Sequence, residues 1–181
     1  KPSFQILNVG AATGRTTELL QHFGEVTSIE YEKDCCELLK QELGIEVINA
    51  YVTELPFQDK TFDLVCTFDV IEHVEDDNKA VEEMVRVCKP NGMIVITIPA
   101  FMQLWSQHDV VNHHFRRYVM RQVKNMFKLH SGEPKYQSYF NTLLFPPIFL
   151  ARLMGKWFPF LFKRKGAGSD FSMINEKSLV N

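Results

Sequence analysis

Apolar positions in the first part of the chain come in short alternating blocks. A run of β-favouring residues is followed by a turn, then by a stretch with apolar side chains at i, i+3 and i+4. Gln5–Val9, Val26–Glu30, Glu46–Asn49, Phe62–Phe68 and Met93–Ile98 read as strands. Helices are predicted over Thr16–Phe23 with Leu19, Leu20 and Phe23 inward, and over Lys33–Leu43 with Cys35, Leu38 and Leu39 inward. A third is predicted over Asn78–Cys88 with Val81, Met84, Val85 and Cys88 inward. Gly24, Gly44 and the turn Pro90-Asn91-Gly92 stand where these helices should stop. Strands alternating with helices bury both faces of a parallel sheet, so the fold class is α/β, Rossmann-like, with a doubly wound and mostly parallel sheet.

After Pro99 the pattern loosens into a polar, histidine-rich stretch, Trp105–Tyr118, followed by a predicted helix at Met120–Leu129 and a strand near Lys135–Tyr139. Residues 1–139 read as one ligand-binding domain, with 100–130 as a lid-like insertion. Residues 140–181 read as an aromatic and basic extension of that domain, in which Phe145, Phe149, Trp157, Phe158, Phe160 and Phe162 precede Lys163-Arg164-Lys165. Such a segment suits either a peripheral membrane contact through 140–165 or packing on the sheet.

The first strand runs into Gly10-Ala11-Ala12-Thr13-Gly14 and then a helix. Glycines permit the sharp bend and close ligand approach, and the helix start offers free N–H groups. The second strand ends in Glu30, where a carboxylate can bind two ribose hydroxyls. Together they imply a ribonucleoside cofactor. The G-x-G-x-x-G pattern of nicotinamide dehydrogenases does not fit without losing a glycine.

Composition adds three points. A chain of 181 residues with 45% hydrophobic content can bury the core of one domain. Cys35, Cys36, Cys66 and Cys88 form no C-x-x-C pair or disulfide framework, which together with the lack of a signal peptide or transmembrane run implies a cytoplasmic protein. The net charge of −2 hides an asymmetry: Lys1–Phe115 holds 8 Lys/Arg against 19 Asp/Glu, and Arg116–Lys165 holds 11 Lys/Arg against Glu133 alone. The basic part either attracts an anionic partner or neutralises the acidic part of the same fold.

The run Leu55-Pro56-Phe57-Gln58-Asp59-Lys60-Thr61-Phe62-Asp63-Leu64-Val65, then Phe68-Asp69-Val70-Ile71-Glu72-His73-Val74, then Val87-Cys88-Lys89-Pro90-Asn91-Gly92, makes an ordered series. With the glycine turn and Glu30, it resembles the class I S-adenosylmethionine-dependent methyltransferases, in particular the group related to ubiquinone and menaquinone methyltransferases. The resemblance spans Ile6 to about Pro99. It implies an S-adenosylmethionine site formed by Asn8, Gly10, Ala11, Ala12, Gly14, Glu30, Tyr31, Ala50, Tyr51, Val52, Phe68 and Asp69. Gly10–Gly14 would cradle methionine, Glu30 would hold the ribose, Tyr31 and Ala50–Val52 would surround adenine, and Phe68-Asp69 would close over the methionine end. Asn8 and Ala12 replace the family's usual acidic residue and middle glycine, and the usual acid near the adenine amino group is replaced around Asn49 or Tyr51. Relatives also carry a helix before the first strand and a closing antiparallel strand, so the resemblance implies a partial chain lacking the last strand.

Methyl transfer from a sulfonium needs positioning, and a base only where the acceptor must lose a proton. Asp69-Val70-Ile71-Glu72-His73 has a D-x-x-E-H spacing similar to the E-x-x-E-H of metal-using quinone and small-RNA O-methyltransferases. It makes Asp69, Glu72 and His73 a candidate divalent-metal set. The stretch His108–Tyr118 matches an H-D-x₄-H-x-R-R-Y pattern of bacterial relatives. The catalytic candidates are therefore His73, His108, Asp109 and His113, with a structural lid pinned by Arg116 and Arg117 as the alternative. The function implied is methylation, at oxygen, of a small-molecule or lipid-linked acceptor rather than a nucleic acid. The alternative is a catalytically silent S-adenosylmethionine-binding domain that serves as a partner or scaffold.

Overall fold

The computed structural model describes residues 3–150. Strands β1 (Gln5–Val9), β2 (Glu25–Glu30), β3 (Val47–Asn49), β4 (Phe62–Phe68) and β5 (Cys88–Thr97) form a parallel sheet in the order β3-β2-β1-β4-β5. Helices α1 (Arg15–Leu20), α2 (Lys33–Leu43) and α3 (Asp77–Val87) connect strands, and α4 (Gln107–Val111) and α5 (Met120–Leu129) follow β5. The chain winds outward from β1 to β3 and returns to the far side of β1 with β4. That reversal opens a crevice beyond the carboxyl ends of β1 and β4.

Strand alternation sends Leu7, Val9 and Val65 to one face, where they meet Val81, Met84 and Val87 of α3 and form the main core. Val123, Met126 and Phe127 of α5 pack against the same cluster. Each fully buried side chain of this size contributes about 1.5–3 kcal/mol. The Asp76 carboxylate caps α3 by accepting the Lys79 N–H at 2.9 Å. Ile6 and Cys66 face the other way, toward Leu20 of α1.

The Leu55–Val65 signature is a structural staple. Arg86 of α3 donates to the carbonyls of Phe57 at 2.8 Å and Leu55 at 3.0 Å, while Glu83 accepts the Leu55 N–H at 2.8 Å. Asp59 closes the set with a 2.8 Å ion pair to Arg86.

Three expected elements differ. Helix α1 ends at Leu20, and Leu19 and Phe23 are 59% and 66% exposed rather than inward. The Thr17 hydroxyl binds Ser28 at 2.8 Å and Asn8 at 3.1 Å, so a polar contact sets the rotation of the helix and turns Leu19 outward. Pro90-Asn91-Gly92 is not a turn before a strand but lies inside β5. Cys88 pairs with Phe62 and Met93 with Leu64, so the surplus residues bulge, with Asn91 at φ +65°. Lys135–Tyr139 adds no strand: the Tyr139 hydroxyl accepts the Met120 N–H at 3.1 Å and its ring packs on Phe101, so the segment folds onto the start of α5. Among the described residues the sheet therefore has no antiparallel strand. Residues 145–150 are helical, whereas Trp157, Phe158, Phe160, Phe162 and Lys163–Lys165 lie outside the described residues.

Candidate functional site

The crevice has a volume of about 1620 Å³ and is walled by the ends of β1, β2 and β4, the loop after β3, and the His108–Arg117 segment. Gly10, with φ +82°, turns β1 into the loop, and a Cβ there would collide with the Val70 side chain across the strand reversal. Gly14 at φ +80° begins α1 and lets Leu39, Leu43 and Ile45 close against it. Ala12 adopts φ +43°, a left-handed conformation unfavourable for any residue with a Cβ. Its N–H donates to Glu30 Oε2 at 2.9 Å, which holds the strained turn in place. Ala12→Gly is accordingly expected to raise stability by about 0.5–1 kcal/mol in urea denaturation; a loss of stability would show that the left-handed turn is not strained.

Glu30 is a buried carboxylate at the crevice wall. Besides Ala12 it accepts the N–H groups of Tyr31 at 2.8 Å and Glu32 at 3.1 Å, so it organises both loops around it. Tyr31 and Tyr51 are 56% and 60% exposed, with ring centroids 4.8 Å apart, and together with Ala50 and Val52 they line one end of the crevice. Asn49 donates to the carbonyls of Glu30 and Tyr31 at 3.0 and 2.7 Å, a structural use of its amide. Phe68 and Asp69 line the opposite end.

Three of the residues expected around a cofactor stand behind the wall rather than in it: Asn8, Ala11 and Gly14. Asn8 is fully buried and donates to Thr16 and Thr17, each at 3.1 Å, while its Oδ1 has no partner. It positions the start of α1.

The lid is tied down from several sides. The Phe115 N–H donates to the Glu72 carbonyl at 2.7 Å, Arg116 pairs with Asp77 at 2.8 Å, and the buried Tyr118 hydroxyl donates to Asp77 at 3.0 Å. Asp109, expected as a catalytic residue, is instead fully buried and does not line the crevice. It accepts from the Ser106 N–H at 2.8 Å, from Arg117 at 2.6 and 3.1 Å, and from His114 Nδ1 at 3.1 Å. Burial would push this carboxyl up, but the Arg117 guanidinium and the Ser106 N–H outweigh that and hold it below the ordinary range. Arg116 and Arg117, which open the basic segment, are thus paired within the fold.

These ties bring His114 beside the short 3-10 turn Ile71–His73. The His73 and His114 rings meet edge to face at 4.5 Å, and donor atoms of Glu72, His73 and His114 all lie within 4.8 Å of one another. Glu72 is 1% exposed and its Oε2 has no hydrogen-bond partner. Burial pushes its carboxyl up to about 8, with Asp69 adding to the effect. His73 is exposed, but the protein packed around its ring, and then the neighbouring His114, lower the imidazole below its ordinary range. Asp69 lies outside this cluster, and His114 takes the place the sequence reading gave it. His114 was legible as the second histidine of the H-D-x₄-H pattern, but nothing in the spacing placed it against a turn 41 residues upstream. His108 and His113 line the crevice nearby.

A parallel sheet reversing at a glycine turn, with a carboxylate at the end of the neighbouring strand, defines an α/β domain built to hold a nucleoside-type cofactor. The family model described as a methyltransferase domain matches residues 7–96. That stretch, just under half of the chain, is similar to the class I S-adenosylmethionine-dependent methyltransferases. A demethylmenaquinone methyltransferase of Staphylococcus aureus is 31% identical over 120 residues, covering 59% of this chain and 50% of that protein. The chain thus spans about half the length of this curated relative. The YcgJ protein of Bacillus subtilis superposes with TM-score 0.64 at 22% identity, covering 72% of this chain and 62% of that one. A candidate methyltransferase from Bacillus halodurans superposes with TM-score 0.63 at 17% identity, covering 72% and 63%. Both show the same fold. No helix among the described residues is long and apolar enough to cross a membrane.

Proposed function

We propose that this chain binds S-adenosylmethionine along the crevice and directs its methyl group to a hydroxyl oxygen of a small or lipid-linked acceptor beneath the His108–Arg117 lid. The observation that carries the reading is the pairing of the Gly10 turn, which a Cβ would block, with the Glu30 carboxylate on one side and the imidazole-lined pocket on the other. The cofactor, when bound, supplies an electrophilic methyl carbon on a sulfonium, so that one C–S bond breaks as one C–O bond forms. Glu30 would accept the ribose hydroxyls while holding the Ala12 turn. Tyr31 and Tyr51 offer an aromatic wall for adenine. The acceptor proton has to leave, and His73 in its neutral form keeps a lone pair at the crevice for that purpose or for an ion.

Support for a lipid-linked acceptor, or for contact with a membrane surface, comes from the segment after the lid. Phe140, Leu143, Leu144, Ile148 and Leu150 are all exposed there. Demethylmenaquinone, for which the Staphylococcus aureus relative is named, offers a ring carbon rather than a hydroxyl as acceptor, so it serves as the test of the competing carbon acceptor.

The test is mass spectrometry of cell extract, and separately of demethylmenaquinone, incubated with the chain and methyl-labelled cofactor. A labelled methyl ether supports the proposal. Label on carbon or nitrogen overturns the choice of acceptor atom, and cofactor binding with no labelled product favours the silent-domain alternative. Glu30→Ala is expected to weaken cofactor binding by about 1–3 kcal/mol in calorimetric titration; unchanged affinity would remove Glu30 from the site.

A further inference from the structure

We propose that the acceptor side of the crevice takes a molecule that carries an ammonium group beside its reacting hydroxyl, and that Glu72 and Glu75 hold that ammonium. This names the class of acceptor and rests on the function proposed above. Glu72 points to a ligand by itself: it is 1% exposed, lines the crevice, and its Oε2 has no hydrogen-bond partner. A buried polar atom left so costs free energy until a donor meets it. Glu75 follows three residues later and lines the same crevice. Arg116 donates to the Glu75 carbonyl at 2.7 Å and gives its ion pair to Asp77, so the Glu75 carboxylate has no ionic partner among the described residues.

The charge around them has one sign. Asp69 and Asp76 line the crevice as well, whereas Arg117 is the one lysine or arginine in its wall among the described residues. The Arg117 guanidinium is committed to the buried Asp109 at 2.6 Å. Free N–H groups at the start of α3 would attract an anion, but the Asp76 carboxylate already closes that end by accepting the Lys79 N–H at 2.9 Å. The field here therefore favours a cation and repels an acceptor bearing phosphate or carboxylate.

Hydrogen bonding narrows the choice of cation. An ammonium has several N–H donors and no acceptor, so one group can meet both the Glu72 Oε2 and the Glu75 carboxylate. Held as the cation it has no lone pair and cannot take the methyl group. The neighbouring hydroxyl keeps its lone pairs: it forms the C–O bond as the C–S bond breaks, and its proton passes to the His73 imidazole. Val70, Val74 and Phe115 also line the crevice and suit an apolar body joining the two groups.

The test is titration of the full chain, with and without saturating S-adenosylhomocysteine, using phenols of similar size and different charge: cationic tyramine, neutral 4-ethylphenol and anionic 4-hydroxyphenylacetate. Nuclear magnetic resonance of the histidine rings reports binding at His73, His108 and His113, and His22, which does not line the crevice, is the control. With S-adenosylhomocysteine bound, tyramine should bind most tightly and 4-hydroxyphenylacetate least, about tenfold or more apart. Glu75→Gln and Glu72→Gln, shown to be folded by circular dichroism, should each weaken tyramine about fivefold more than 4-ethylphenol. Equal affinity for the three probes, tightest binding of the anion, or no saturable binding overturns the proposal. So does an unchanged preference for tyramine in both folded variants, or loss of tyramine when S-adenosylhomocysteine is bound, which would place the ammonium in the cofactor's own site. If S-adenosylhomocysteine itself does not bind, the cofactor reading fails, and the order of the three phenols on the free chain still decides this proposal.

Discussion

Asp109→Asn is expected to destabilise the chain by about 3–5 kcal/mol, because it removes the counter-charge of a buried guanidinium. Asp109 is fully buried, and the Arg117 side chain that pairs with it at 2.6 Å is only 10% exposed. The same carboxylate caps α4 through Ser106 and fixes the His114 ring, so one substitution loosens the lid at three points. Urea denaturation checks this. The double substitution Asp109→Asn with Arg117→Met should cost less than the sum of the two single changes, since no stranded charge remains. A single-variant loss below about 1 kcal/mol would mean that the pair is solvated, in the range of surface ion pairs.

Stability of the EDTA-treated protein is expected to fall as the pH rises through the window set by Glu72. In the unfolded chain this carboxyl releases its proton near its ordinary value of 4.5, whereas burial in the fold holds the proton to about 8. Between those values the native state binds more protons than the unfolded state, so raising the pH favours unfolding. The stabilisation is complete below the unfolded value and lost as the pH passes the folded one. Asp69 and Asp109 face the group and add to the effect, and Arg117 opposes it. His73 acts in the other direction, because the protein packed around its ring and His114 disfavour its cation and stability is lost as the pH falls. The difference between wild type and Glu72→Gln isolates the carboxyl. The variant should gain on the order of 3 kcal/mol relative to wild type between pH 5 and 8. Parallel pH profiles for the two proteins would show that Glu72 titrates normally.

The fold was legible because it follows from local pattern. Five strand runs alternate with three helical ones; four strands formed within one residue of the expected bounds, and β5 began five residues early, at Cys88 rather than Met93. Failures arose where a polar tertiary contact overrode hydrophobic spacing, as when Thr17 rather than Leu19 turned toward the sheet. The site was legible to the extent that its residues sit at strand ends. Gly10, Glu30 and Phe68 are placed by β1, β2 and β4, and each lines the crevice. Asn8 has the spacing of a wall residue, and its amide points back to Thr16 and Thr17. A carboxylate among histidines in a loop has the same sequence pattern whether it faces a ligand or a buried arginine, and Asp109 faces Arg117. Only the fold of the lid, set by Phe115, Arg116 and Tyr118 meeting residues some 40 positions earlier, decides which.

The central claim is that the crevice between the Gly10 turn and Glu30 holds S-adenosylmethionine. Calorimetric titration of the folded chain with S-adenosylmethionine, with NAD as the competing ligand, tests it most directly. One-to-one binding of S-adenosylmethionine, weakened by Glu30→Ala and absent for NAD, is the predicted result. A folded chain that binds NAD in its place, or binds neither, would contradict it.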